Sequence, residues 1–492
     1  MRNFTARNYI RATRLLAPTA LTLALAACMV GPDHVRPTLS VPEQFVRDDA
    51  NPVAVAPQPE PDADFWNAFD DPMLTRLVDE ALVANYDLRI ALTRFDRANA
   101  LLRGSRFDYL PTVTASAEGS DARASADQAP GLSREQRDSE SYSAGIDMAW
   151  ELDLFGRIRR GVESQRAEAA ATAADLAALQ VAIVAEVARS YIDLRGLQER
   201  LDVARENADN QRETLRIVQA RLDAGSATGF DRARASAQLQ ATLARVPALE
   251  AEAAVMMHRL AVLTGKTPGA LVVELEQPAD LPALPAPIDP GIPGDLLRRR
   301  PDIAAAEQRL HAATARIGVA TADLFPRFTL GGLIGSQAID TGNLFERDSE
   351  TSLIALGIDW SFLDIGRVRA RMAAADADAA GELASYQKTV VLALEEAENA
   401  LIRYARTRTE DQHLQQAAED SARAADLAHV RYDAGATGLL EVLDAERTKL
   451  QAQDALADVR TRAATSAVAV YKAMAGGWPS RIPLREDVAS VD

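Results

Sequence analysis

The chain has 492 residues, a net charge of −17, and no run of about 20 apolar residues of the kind a membrane-crossing helix needs. That excludes a bundle of membrane helices, and the acidic balance argues against nucleic acid or an anionic membrane surface as partner. Aromatics are only 5% of the chain while alanine is abundant, which suits long helices better than a thick core.

Residues 1–27 read as a signal peptide, with Arg2, Arg7, Arg11 and Arg14 ahead of an apolar stretch from Leu15 to Ala27. The stretch ends in Leu25-Ala26-Ala27-Cys28, which is similar to a bacterial lipobox, where the cysteine becomes the first residue and is lipidated. Cys28 is the only cysteine, so it has no disulfide partner in the chain. Met29 follows it, where an Asp would resemble the signal for inner-membrane retention, so outer-membrane delivery is expected. Segment 28–64 carries seven prolines and should run extended from the lipid anchor.

A helical pattern covers about Met73 to Arg103 and halts before Tyr109-Leu110-Pro111. Two stretches of period-two alternation follow, at 112–119 and 141–150. In the second, Tyr142, Ala144, Ile146, Met148 and Trp150 oppose Ser141, Ser143, Gly145, Asp147 and Ala149. From about Gly161 to Asp223 no proline interrupts a helical pattern, which at 1.5 Å per residue reaches on the order of 90–100 Å. Gly225 suits the left-handed position that ends a helix, and Thr228-x-x-Asp231 resembles a capping box. A return leg spans about 229–264. Segment 265–292 is a proline-rich connector, whose Gly265-Lys266-Thr267 lacks the upstream glycine and strand of a phosphate loop.

The same order then recurs. A helix near 295–320 precedes alternating stretches at 327–336 and 353–362, in which Ile354, Leu356, Ile358, Trp360 and Phe362 share one face. A second proline-free run, about Arg369 to Asp433, carries Leu383, Tyr386, Val390, Leu394, Ala397, Leu401 and Tyr404 at steps of three and four. It stops at Gly435, with Thr437 the expected N-cap of a last helix over 438–475, before a tail at 476–492. WELDLFGRIRR from Trp150 and WSFLDIGRVRA from Trp360 stand 210 residues apart, as do Gly225 and Gly435. The chain is thus two structural repeats, 65–264 and 293–475.

Strands with one apolar face, the lipid side carrying Ile146, Met148, Ile354, Leu356 and Ile358, suit a membrane barrel, with Asp147 and Asp359 turned to its lumen. An Arg at Ile358, read as near mid-bilayer, is expected to cost roughly 2–4 kcal/mol. Four strands cannot close a barrel, and open edges are not tolerated in lipid, so several copies must share one. Three copies give twelve strands and begin to leave a bore. After the second turn, Leu440, Glu441, Asp444 and Arg447 lie within the first turns of one helix, Glu441 and Asp444 on one face.

Five phrases in order resemble the outer-membrane factors of tripartite efflux systems, the TolC-like channels, in their lipoprotein branch. They are CMVGPDHVRP, DFWNAFDDPMLTRLVDEALVANYDLRIA, WELDLFGRIRR, LLRRRPDIAAAEQRLHAATARIGVATADLFPRF and YKAMAGGW. The resemblance implies a mainly α protein with a transmembrane β-barrel: a homotrimeric twelve-stranded barrel in the outer membrane of a Gram-negative cell, continued by a twelve-helix periplasmic α-barrel. It implies an exit duct for small toxic molecules, a periplasmic adaptor of the membrane-fusion type and an inner-membrane pump of the RND type. By the same analogy the adaptor meets the tips at Arg221, Gly225 and Asp231, and at Arg431 and Gly435. The constriction corresponds to Asp444, with Leu440, Glu441 and Arg447 beside it. Where relatives carry an acidic or amide residue near Ala235, this chain reads FDRARASAQ, a departure at the first tip.

No enzyme signature, metal-ligand spacing or cofactor motif is present, and the only non-protein group expected is the lipid on Cys28. His311, His413 and His429 fall in helical patterns, as do Glu395, Glu396 and Glu398, and a solvated face is the ordinary role for all of them. A type I protein-secretion channel shares the same barrel and tip physics. A non-transporting trimeric stalk would show monotonous heptads and no internal strands.

Overall fold

The computed structural model describes residues 29–39, 41–45, 65–285 and 293–474. In chain order the elements are α1 (Pro72–Ala84), α2 (Tyr86–Arg106), β1 (Thr112–Arg123), β2 (Asp138–Leu152), α3 (Arg157–Asp223), α4 (Gly229–Leu243), α5 (Arg245–Leu263) and the short α6 (Val272–Leu275). The second repeat supplies α7 (Pro293–Arg299), α8 (Pro301–Ala322), β3 (Arg327–Ala338), β4 (Glu350–Asp359), α9 (Ile365–Asp433) and α10 (Leu439–Ala473). Cys28, the signal peptide and the tail from 475 lie outside the described residues.

Three helices expected to be continuous are broken, each for a local reason. The first divides at Asn85, whose side chain caps α2 by accepting from Asp87 N (2.9 Å) and Leu88 N (3.2 Å). Its Nδ2 donates to the Leu263 carbonyl at 2.9 Å, so the break is held by a neighbouring element. The helix expected near 295–320 divides at Arg300, which precedes Pro301 and is therefore pushed out of helical backbone. The return leg over 229–264 divides at Ala244, because the ring of Pro247 clashes with the carbonyl four residues earlier. The last strand also ends sooner than expected, at Asp359, leaving Trp360 and Phe362 beyond it.

The chain divides into two compact units. The first contains the sheet, an antiparallel meander in the order β1-β2-β3-β4. Its register aligns Val113, Met148, Gly332 and Ile354, then Trp150, Leu330 and Leu356, and then Leu152, Phe328 and Ile358. Directly paired residues share a face, so one side collects most of the apolar residues of the strands, Leu333 and its partner Leu353 excepted. Thr114, Asp147 and Leu333 form a row on the other side, as do Arg327 and Asp359, and Ser116 donates to Asp147 at 3.2 Å. Ile354, midway along β4, is 85% exposed, and Ile358 sits one residue from the strand's end. That places Ile354, rather than Ile358, nearest the middle of the strand.

The duplication is exact enough to repeat individual hydrogen bonds. Trp150 Nε1 donates to the Tyr109 carbonyl (3.1 Å) and Trp360 Nε1 to the Leu324 carbonyl (3.0 Å), each tying a strand end to the approach to its hairpin. In the same unit Val30 N–H donates to the Phe155 carbonyl (3.2 Å), and Met29 occupies the space that a side chain at Gly156 would fill. His311 does not simply face solvent: its Nε2 lies 2.9 Å from Glu163, and its ring stacks on His34 at 4.6 Å.

The second unit holds the main core, built by Trp66, Leu77, Leu88, Tyr191, Ile192, Leu260 and Tyr404 among others. The connector joins it, because Pro268–Leu271 and α6 bury Leu271 and Leu275 there. Gly265 is the left-handed end of α5 (φ 74°), not part of a phosphate loop. One stretch of α3 is apolar and long enough by composition to cross a membrane, contrary to expectation. Its residues from Ile183 to Leu194 contribute to this core. Tyr386, Val390, Ala397 and Tyr404 are buried, so the heptad stripe of α9 is packing.

Candidate gate at the helical tips

Two tight turns join α3 to α4 and α9 to α10, and both are built alike. Gly225 (φ 74°) and Gly435 (φ 71°) take the left-handed conformation that glycine adopts without strain. Around the first, Gly225 N–H donates to Leu222 O (2.9 Å) and Ser226 N–H to Arg221 O (2.8 Å). Around the second, Gly435 N–H donates to Tyr432 O (3.0 Å) and Ala436 N–H to Arg431 O (2.8 Å). Both are Schellman closures, which use up the last carbonyls of the incoming helix.

The outgoing helices start differently. Thr228 and Asp231 form the full capping box, Asp231 N–H donating to Thr228 Oγ1 (3.2 Å) and Thr228 N–H to Asp231 Oδ2 (3.0 Å). The Thr228 hydroxyl and then its backbone N–H hold the Asp231 carboxyl below its ordinary range. In the second tip the N-cap is Gly438, not Thr437. Residue 438 is the repeat counterpart of Thr228, so the cap position is kept while its hydroxyl is lost. Glu441 Oε2 folds over Gly438 instead, 3.0 Å from where a Cβ would stand.

Leu439, Val442, Leu443 and Glu446 form the buried face of α10. Leu439 and Leu443 pack with Val218 of α3 and Ala235 of α4, so an acidic residue at 235 would be set into a mainly apolar cluster. Leu440 (52% exposed), Glu441, Asp444 and Arg447 therefore share the opposite, open face. Arg447 pairs with Asp444 within the helix. Arg221 is not a free surface cation: its guanidinium lies 4.0 Å from the centre of the Tyr432 ring and 3.5 Å from Asp433. It clasps the first hairpin to the second, while Arg431 stays exposed.

Sequence reasoning missed a buried polar node about one to three turns behind the tip. Glu446, on α10, accepts from Thr214 Oγ1 of α3 (2.9 Å) and lies 2.9 Å from His429 Nε2 of α9. His429 is thus engaged between helices rather than merely solvated. Likewise Glu396 belongs to an ion-pair cluster with Arg300 and Lys472.

A meander with two open edges and duplicated long helical hairpins define a channel-forming outer-membrane protein. The chain belongs to the family described as outer membrane efflux protein, whose model matches residues 77–266 and 292–476. It is 32% identical over 460 residues to nodulation protein T of Rhizobium leguminosarum bv. trifolii, covering 91% of this chain and 94% of that one. Outer membrane protein OprJ of Pseudomonas aeruginosa is 32% identical over 468 residues, covering 93% and 95%. Among solved structures, the outer-membrane channel OprN superposes with a TM-score of 0.86 at 42% identity, over 92% of this chain and all (100%) of that one. The fold is that of a trimeric outer-membrane channel, a β-barrel continued by a helical periplasmic barrel, and the protein is the outer-membrane exit duct of an efflux system.

Proposed function

We propose that this duct passes small toxic molecules and is gated at the second helical tip by Leu440, Glu441, Asp444 and Arg447. The arrangement of α10 supports this reading: these four residues are its open face, while Leu439, Val442 and Leu443 are spent on packing. In a trimer the open faces give two stacked acidic levels and a leucine ring. Arg447 offsets part of the Asp444 charge at a few tenths of a kcal/mol, the usual worth of an exposed helical pair. The protein works without a catalytic centre, receiving its cargo from an inner-membrane pump of the RND type through a periplasmic adaptor that meets the tips around Gly225 and Gly435.

In planar bilayers the channel should be cation-selective, and a multivalent cation on the tip side should block it. Glu441→Gln with Asp444→Asn should abolish the block and weaken the selectivity. Unchanged block in an intact trimer would reject the gate.

The same reading gives Cys28 a lipid. Met29, its neighbour in sequence, docks beside Gly156, four residues past the end of β2. Each buried CH₂ contributes about 0.8 kcal/mol, so several chains anchor stably. Mass spectrometry of the mature N-terminus should find Cys28 acylated; an unmodified or differently cleaved terminus would exclude the anchor.

A further inference from the structure

The acidic levels proposed for the gate repel one another when the tips converge, and Arg447 sits on the same helix as the charge it offsets. A second source of countercharge lies on the first hairpin. Helices α4 and α10 are repeat counterparts in the 210-residue register that relates Gly225 to Gly435. Thr228 and Gly438 are their N-caps, Asp231 and Glu441 follow three positions on, and Arg234 and Asp444 three further. Phe230, 67% exposed, is the counterpart of Leu440, 52% exposed. Arg234 lies over the Phe230 ring, 5.4 Å from its centre, so the aromatic holds the guanidinium on that side of α4.

The two helices also touch at this level. Ala235 packs with Leu439 and Leu443, so Arg234 and Asp444 each stand one residue from the same contact. Position for position, α4 therefore presents Phe230, Asp231 and a half-buried Arg234 where α10 presents Leu440, Glu441 and Asp444, so a cation replaces the second acid.

We propose that Arg234, held by Phe230, is the first hairpin's share of the mouth. Three Arg234 guanidiniums alternate with three Asp444 carboxylates around the trimer, relieve their repulsion in the resting state, and set how tightly the mouth binds cations. This rests on the gate reading above, and deepens it by naming the residue that tunes its selectivity.

The test is bilayer recording of the full-length trimer with hexaamminecobalt(III) as the blocking probe. Arg234→Gln should tighten block about tenfold at physiological ionic strength, since a trivalent ion senses three removed charges within roughly one screening length. Arg234→Glu should tighten it further and raise cation selectivity, and Arg234→Lys should stay near wild type. Arg216→Gln, a charge change on the exposed surface of α3, is the control. If Arg234→Gln and Arg234→Glu shift block no more than the control, while Glu441→Gln with Asp444→Asn abolishes it, the Arg234 assignment is wrong and the gate stands. If the double acid variant leaves block intact, the gate reading itself is overturned.

Discussion

Ile354→Arg will deplete the trimer from the membrane fraction and lower its heat stability, whereas Ile358→Arg will leave both nearly unchanged. Both side chains belong to the apolar face that runs across β1 to β4, and both are exposed in the single chain. They differ in depth. Ile354 lies midway along β4 and pairs with Gly332, itself midway along β3, while Ile358 is next to the last residue of its strand. A lipid-facing Arg costs roughly 2–4 kcal/mol at the bilayer midplane and about 0–1 near the interface, where its head reaches water. Three copies in one barrel incur that cost together. The measurement is the temperature at which the trimer dissociates, with membrane recovery alongside. Equal effects at 354 and 358 would mean that strand depth does not follow the order assigned here, and no effect at either would mean that this face does not meet lipid.

The strands were legible because a sheet between lipid and water writes its two faces as alternation, from Tyr142 to Trp150 and again from Ile354 to Ile358. The long helices and their turns were legible because glycine at 225 and 435 ends a proline-free run. The helix breaks were harder to see. Pro247 and Pro301 are local signals that a periodicity reading passes over, and Asn85 breaks its helix through a bond to Leu263, far away in sequence. Thr437 looked like the cap because its hydroxyl is the right chemistry one residue early. The 210-residue register points to Gly438, where the hydroxyl is missing. The node of Thr214, His429 and Glu446 leaves no periodic trace, since its members come from three helices and each alone reads as surface. Glu441 and Asp444, the acids of the proposed gate, were legible as residues, but their common open face became visible only once Leu439 and Leu443 were seen to pack on the first hairpin.

The cluster around Arg300 carries the second large effect. Its guanidinium, only 10% exposed, donates to Asp302 (2.8 Å), to Glu396 (2.8 Å) and to the Ala473 carbonyl at the end of α10 (2.9 Å). Lys472 donates to the other oxygen of Glu396 at 2.8 Å. One carboxylate therefore joins α9 to both the break before α8 and the last turn of α10. Removing one partner of a fully buried pair costs roughly 3–5 kcal/mol because the other charge is stranded. Glu396 is 35% exposed, so Glu396→Leu should cost about 2 kcal/mol, read as a lower unfolding temperature by circular dichroism in detergent. Arg300→Met together with Glu396→Leu should recover part of that loss, because the buried guanidinium is removed along with its partner, leaving only the half-exposed charges of Asp302 and Lys472, which water reaches. Burial pushes the Glu396 carboxyl up, but hydrogen bonds from Lys472 and Arg300 outweigh it and hold it below its ordinary range. A depressed carboxylate stabilises the fold fully above its unfolded pKa, about 4.3, and loses that contribution as pH falls through the lower folded value. The gap between wild type and Glu396→Leu should thus stay constant from neutral pH down to about 5 and close in stronger acid. A double variant no more stable than the single one, or a gap that does not close in acid, would show that the charge contacts of Glu396 are not what its removal costs.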